Sequence, residues 1–270
     1  MPELPEVETI VRTLERSLLN ETILGIEFLY PDLLEQNSSY DLKVLQGKTF
    51  TKFDRRGKYL IFEFDHSLYW VLHLRMEGKF HLYQENIKPT KHTHLIIQTT
   101  RHWIHYLDVR KFSRMAVVDD LDSYMKTKNL GLEPFDSNLT PDYLKEKMGK
   151  SGRSLKTMLL DQSIVSGIGN IYADEILFAT KLHPLRKGPS LKMRDYRALC
   201  EEIPKILEAA ILQGGTTIRS YTSALNVNGL FQVSLKAYGQ KGEPCVECQT
   251  TMEAIKVSGR TTVFCKRCQK

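Results

Sequence analysis

The opening stretch MPELPEVET crowds Pro2, Glu3, Pro5, Glu6 and Glu8 against the amino terminus. Removal of Met1 ahead of a proline would leave Pro2 with a free secondary amine. An α-amino group has a pKa of roughly 8 against about 10.4 for lysine, so far more of it is unprotonated at neutral pH. Its attack on an aldehyde-like sugar carbon gives an iminium with no N–H to lose. That permanent cation draws electrons from the neighbouring carbon and favours elimination. Glu3 and Glu6 lie nearby in sequence, and a partly desolvated carboxyl there could carry protons to a sugar ring or a leaving base.

Four of the five cysteines, Cys245, Cys248, Cys265 and Cys268, form two C-x2-C pairs separated by sixteen residues. Each pair places two sulfurs on one knuckle, and a hairpin between them would bring the knuckles together around one tetrahedral zinc ion. With all four positions filled by protein, the metal holds the fold and does no chemistry. In a reducing compartment disulfides are the poorer reading. Cys200, in YRALCEEI, reads as a small buried hydrophobe on a helix.

A third constellation is SIVSGIGNIYADEIL, residues 163–177, where Gly167 and Gly169 interrupt a helical pattern and Asn170 opens the next helix. Such a turn points backbone N–H groups outward, where they can hold a phosphate. Three strand-like stretches, FDRRGKYLIF, LHLRMEGKF and DVRKFSR, are each interrupted by basic residues beside Gly, Met or Phe. If residues 110–112 are extended, Arg110 and Phe112 share a face and a cation projects with an aromatic ring. With Met76 as a second apolar wedge, this suits a protein that extrudes a base and fills the hole it leaves.

These groups need elements to hold them. Leu4, Val7, Val11, Leu14 and Leu18 make one apolar stripe on a leading helix over 4–19. Pro5 is tolerated in its first turn, and the helix dipole accounts for one or two of the glutamates but not for Pro2. From about 23 to 119 the pattern shifts to short segments rich in Ile, Phe, Tyr, Val and Thr, read as antiparallel strands of a sandwich or barrel. Turn residues cluster between 120 and 140, and helices are expected around 141–149, 154–162, 170–181 and 190–213 before the cysteine hairpin.

The chain has 270 residues, 41% hydrophobic and 26% charged, enough for a sizeable core and for two domains. Of the net charge of +6, residues 231–270 carry seven Lys or Arg against three Asp or Glu, a surplus that suits a polyanion or simple solubility. No apolar run reaches the roughly 18 residues of a membrane span, and acidic residues stand where a signal peptide is basic, so a cytoplasmic location is expected.

Taken together and in order, PELPEVET, RRGKYL, HLRMEGK, DVRKF, GIGNIYADE and CVEC...SGRTTVFCKRC closely resemble the formamidopyrimidine-DNA glycosylase family. The resemblance implies an α+β fold. An N-terminal β-sandwich with a leading helix (1–125) and a linker (126–140) precede a helix-two-turn-helix domain (141–230), which ends in a zinc finger (231–270). It implies a monomeric repair enzyme that flips oxidised purines out of double-stranded DNA, removes them and cleaves abasic strands by β,δ-elimination, with one structural zinc ion as cofactor and no membrane partner.

By the same resemblance Pro2 matches the nucleophile, Glu3 the acid that protonates the opening sugar, Glu6 a second catalytic carboxylate and Lys58 a lysine at the lesion. Met76, Arg110 and Phe112 match the residues that fill the gap, Arg110 facing the orphan cytosine. His73, Asn170 and Arg260 match phosphate contacts, Lys156 and Tyr238 further DNA-binding positions, and residues 216–229 the loop over the extruded base. Three positions depart from the family pattern: Ser113 and Thr261 where glycine is usual, and Leu132 where proline is. The alternatives are an endonuclease VIII-like enzyme for oxidised pyrimidines, which the leucine of PELPEV and the Arg and Phe of DVRKF disfavour, and a non-catalytic zinc-finger DNA-binding protein, which would have lost Pro2 or Glu3.

Overall fold

The apolar stripe forms α1 (Leu4–Leu18), with Leu4, Val7, Ile10, Val11, Leu14 and Leu18 all buried. Pro5 sits in its first turn, where no intrahelical hydrogen bond is lost. The computed structural model describes residues 1–216 and 234–270, which divide into two units. The first holds Met1–Lys128 and a returning segment that includes Gly214, Gly215 and Thr216; the second holds Asn129–Gln213 and the described C-terminal residues.

In the first unit eight strands build two antiparallel four-stranded sheets. One runs β1 (Ile23–Phe28), β6 (Thr93–Thr99), β7 (Trp103–Leu107), β5 (Lys79–Tyr83); the other runs β2 (Phe50–Arg56), β3 (Tyr59–Phe64), β4 (Leu68–His73), β8 (Arg114–Val118). Phe50, Phe62, Trp70 and Met115 from the second sheet share one core with Phe80, Ile97 and Tyr106 from the first and with the stripe of α1. The other face of the second sheet is buried as well, with Ile61, Val71, Ala116 and Val118 packed with Tyr124, so β3, β4 and β8 are apolar on both faces. A short helix, α2 (Leu121–Lys126), follows β8.

In the second unit α3 (Pro141–Met148), α4 (Leu155–Leu159), α5 (Asn170–Ala179) and α6 (Met193–Leu212) enclose a separate core around Leu144, Met158, Tyr172, Tyr196 and Leu207. α4 is shorter than its expected 154–162. The side-chain amide of Gln162 donates to the carbonyls of Leu160 and Ile168 and accepts from Gly167 N–H, so the chain turns instead of coiling on. Gly167 has φ +93°, open to glycine at little cost. α6 continues through Pro204 because Tyr196, Leu199, Ile203, Leu207 and Ala210 line its buried face on both sides of the proline. The chain closes with the hairpin β9 (Glu253–Val257) and β10 (Arg260–Phe264). Its two turn residues, Ser258 and Gly259, both have positive φ (48° and 76°), the backbone of a tight twisted hairpin. No helix among the described residues is long and apolar enough to cross a membrane.

Candidate active site and nucleic-acid interface

The start of α1 is built around its acidic residues. Pro2 is buried behind Met1, and Glu3, at the helix N-cap, is only 2% exposed. Glu3 and Glu6 form a reciprocal capping box in which Glu6 Oε2 accepts the Glu3 N–H at 2.9 Å. Glu6 Oε1 accepts from the backbone N–H and hydroxyl of Thr216, at 2.9 and 3.1 Å. The Glu6 carboxylate thus ties the amino terminus to the segment that returns after α6. Gly215 makes this approach possible: its φ is +76° and a Cβ there would stand 2.7 Å from Glu6 Oε1. The remaining residues of the expected 216–229 loop lie outside the described residues.

Lys58 and His73 sit at neighbouring strand ends. Gly57 and Lys58 form the two-residue turn between β2 and β3, with Gly57 at φ +58°. Arg55 holds that turn against α1, its Nε donating to Glu8 at 3.0 Å and its Nη1 to the Gly57 carbonyl at 3.1 Å. His73, at the end of β4, is buried and accepts the Arg75 N–H on Nδ1 at 3.0 Å. A neutral ring accepting on Nδ1 carries its proton on Nε2, so that nitrogen is the donor offered to a ligand. Burial, reinforced by the Arg75 and Lys58 charges, pushes its pKa down to about 3. The unfolded chain therefore takes up a proton here below about pH 6.5 while the folded chain does not, and acidification costs stability. In urea unfolding, the wild type should lose about 2 kcal/mol more than His73→Asn between pH 7 and pH 5. Equal losses would show that the ring is not held neutral.

The expected wedge residues come together on two turns. Arg110 and Phe112 do not meet through an extended strand: residues 108–113 form a turn, Lys111 has φ +57°, and the Arg110 guanidinium lies 4.6 Å from the centre of the exposed Phe112 ring. The pairing survives through cation–π stacking. Met76, 38% exposed, is reached through Arg75, which also has positive φ (52°). Met1, Arg75, Met76, Phe112 and Arg114 line a single cavity of about 390 Å³. Two non-glycine residues in the left-handed region, one in each turn, mark a backbone held against its local preference.

In the second unit the hairpin is fixed to α4 and α5 by three contacts. Ser258 Oγ and Thr157 Oγ1 are 2.9 Å apart, Asn170 Nδ2 donates to the Thr261 carbonyl at 3.1 Å, and Val263 N–H donates to Asp174 Oδ2 at 3.1 Å. These bring Asn170, in the first turn of α5, next to Arg260, which is exposed on the hairpin. Lys156, expected among the DNA-binding positions, has no exposed side-chain surface. Its ammonium pairs with Asp174 Oδ1 at 2.6 Å and donates to the Asn170 carbonyl at 2.9 Å. Burial pushes the Asp174 carboxyl up to about 6 against the pull of Lys156. Tyr238 is half-buried against the helical core, and its N–H, with those of Lys236 and Ala237, is accepted by the buried Glu175 carboxylate. Leu132 pairs with Val165 and accepts from Ser166 N–H, so its substitution for proline leaves the local turn hydrogen-bonded.

The four cysteines converge. Their sulfurs all lie within 4.8 Å of one another, with Cys245–Cys268 at 4.0 Å and Cys248–Cys265 at 3.5 Å. Zinc–sulfur bonds of about 2.3 Å in a tetrahedron set sulfur edges of about 3.8 Å, so the donor set fits one zinc ion. Cys268 N–H donates to Cys265 Sγ at 3.4 Å, support for a thiolate. Cys200 stands apart on α6, half-buried, its thiol pushed up to about 11 by burial.

Three family models match the chain. The family model described as formamidopyrimidine-DNA glycosylase N-terminal domain matches residues 1–115, the one described as the H2TH domain of that enzyme matches 130–222, and a zinc finger found in FPG and IleRS matches 242–270. The chain belongs to the formamidopyrimidine-DNA glycosylase family. The formamidopyrimidine-DNA glycosylase of Bacillus anthracis is 42% identical over 274 residues, covering 100% of this chain and 99% of its own. A Lactococcus lactis FPG mutant in complex with Fapy-dG-containing DNA has a TM-score of 0.94 at 39% identity, covering 100% of both chains. The Lactococcus lactis Fpg bound to abasic-site DNA has a TM-score of 0.93 at 39% identity, covering 99% of each.

In this glycosylase the sequence reading missed the acidic residues that brace the site: Asp108 under the Arg110 turn, and Asp174 and Glu175 on α5. A signal for the last two was present, because two adjacent carboxylates inside the apolar run NIYADEILF must find buried partners.

Proposed function

We propose that the chain excises oxidised purines from duplex DNA and cleaves the abasic strand, with the Pro2 amine as nucleophile once Met1 is removed. The amine bonds to C1′ as the C1′–N9 bond breaks and the purine departs. Glu3 protonates the sugar ring oxygen as the ring opens, leaving an iminium on Pro2. Loss of a C2′ proton then expels the 3′ phosphate, and a second elimination expels the 5′ phosphate. Glu6 holds the amine in place, Lys58 and the Nε2 proton of His73 contact the lesion strand, and Asn170 and Arg260 grip phosphate, with Lys156 supporting Asn170. Tyr238 stands at the edge of that surface. Met76, Arg110 and Phe112 occupy the gap in the stack, Arg110 facing the orphan cytosine. The enzyme works as a monomer in the cytoplasm, on the nucleoid.

The observation that carries this reading is the cavity in which Met1, the residue capping Pro2, meets Met76 and Phe112. With Met1 removed, the new amino terminus would begin one residue from the cavity that holds the groups proposed to replace a flipped base. Single-turnover excision on a lesion panel tests it: 8-oxoguanine opposite cytosine should be cut fastest, ahead of oxidised pyrimidines. Arg110→Ala should lower the preference for cytosine over adenine opposite the lesion by at least about tenfold. Faster cutting of oxidised pyrimidines would overturn the assignment in favour of the endonuclease VIII-like alternative.

A further inference from the structure

Ser113 stands where DVRKF is usually followed by glycine, and its side chain is fully enclosed. Its one Oγ–H is shared between Asp108 Oδ2 at 2.7 Å and the Leu74 carbonyl at 3.1 Å, and the oxygen accepts from the Tyr106 hydroxyl at 2.5 Å. Burial raises the Tyr106 phenol, which therefore stays protonated and donates. Asp108, itself buried, also accepts the N–H groups of Arg110 and Ser113, at 2.9 and 2.8 Å, and so shapes the turn that carries Phe112. The Leu74 carbonyl accepts from Gly78 N–H and closes the other turn, which carries Met76. Gly78 lets the cluster close, since a Cβ there would stand 2.1 Å from the Tyr106 oxygen and 2.7 Å from Ser113 Oγ.

We infer that Ser113 is a positioning residue: its hydroxyl pins the Arg110–Phe112 turn to the Met76 turn, so that the three gap-filling side chains enter the duplex as one unit. The inference rests on the gap-filling role proposed above. Each turn holds a residue at positive φ, Arg75 and Lys111, and the shared hydroxyl is a buried group touching the braces of both. A buried hydroxyl at the crossing of two strained turns sets their spacing through hydrogen bonds that neither turn can make alone.

The test compares wild type, Ser113→Ala and Tyr106→Phe in single-turnover excision of 8-oxoguanine opposite cytosine and opposite adenine. Cleavage of a preformed abasic site in single-stranded DNA, which offers no orphan base, is the control. Ser113→Ala should lower the cytosine-over-adenine ratio by about tenfold, with single-strand cleavage within twofold of wild type. Tyr106→Phe, which leaves the Asp108 bond intact, should lower the ratio less but in the same direction, and decides the matter if Ser113→Ala does not fold. A purely structural loss would lower all the rates together, and that result, or a ratio within twofold of wild type, overturns the inference. Arg110→Ala separates the two claims: an unchanged ratio there refutes the gap-filling role itself, whereas a lost ratio with Ser113→Ala unaffected refutes only the pin.

Discussion

Chains that keep Met1, or whose Pro2 nitrogen is acetylated, should cut abasic-site duplex at least about a thousandfold more slowly than the processed enzyme. In both forms the nitrogen is an amide, with its lone pair delocalised into a carbonyl and no nucleophilicity left. The block is also spatial, because Met1 lines the cavity shared with Met76 and Phe112. Mass spectrometry of the intact protein quantifies each form, and cleavage of an abasic duplex reports the rate. Binding to that duplex should fall far less than the rate, since the phosphate contacts proposed for Asn170 and Arg260 are untouched. A blocked chain cutting at an undiminished rate would leave no role for the Pro2 amine.

Removing the metal should have the second large effect. Cys265→Ser, or chelation of the wild type, should release one zinc ion per chain and weaken binding to damaged and undamaged duplex alike, by at least about a hundredfold. The hairpin has only a small core, Ala237, Cys245, Met252, Val263 and Cys265 packed against Phe178 of α5, too little apolar burial to fold without the metal, whose coordination holds such domains together. What is lost with it is the placement of Arg260 and of the Thr261 carbonyl that orients Asn170. The helical core of the second unit should persist in far-UV circular dichroism, because α3 to α6 pack around other residues. Metal-free protein with DNA affinity within twofold of the holoenzyme would detach the hairpin from binding.

Much of this architecture is legible in the sequence, for physical reasons. The period of the apolar residues in 4–18 can only be a one-sided helix, the two C-x2-C pairs admit few geometries, and the short segments between 23 and 119 rich in Ile, Phe, Tyr, Val and Thr favour strands. The legible part ends where the outcome depends on long-range partners. Arg110 and Phe112 meet as expected but through a turn, because Asp108 gathers the N–H groups of Arg110 and Ser113, a contact no two-residue periodicity encodes. Lys156 looks like any basic residue near a DNA-binding turn, yet Asp174, eighteen positions on, draws it inside. Glu6 reads as a helix-dipole residue or a catalytic acid, and only the return of the chain at Gly215 and Thr216 shows that its oxygens are engaged. Ser113 reads as a small departure in a loop, and its importance lies in three partners, one of them 39 positions away.

The central claim is that the Pro2 nitrogen forms the covalent bond to the sugar. Its most direct test is to incubate the processed enzyme with duplex carrying 8-oxoguanine opposite cytosine, reduce with borohydride, digest and map the adduct by tandem mass spectrometry. The account predicts one deoxyribose-linked peptide, modified at the nitrogen of Pro2. An adduct on Lys58 or any other lysine, or none at all while excision proceeds, would contradict it.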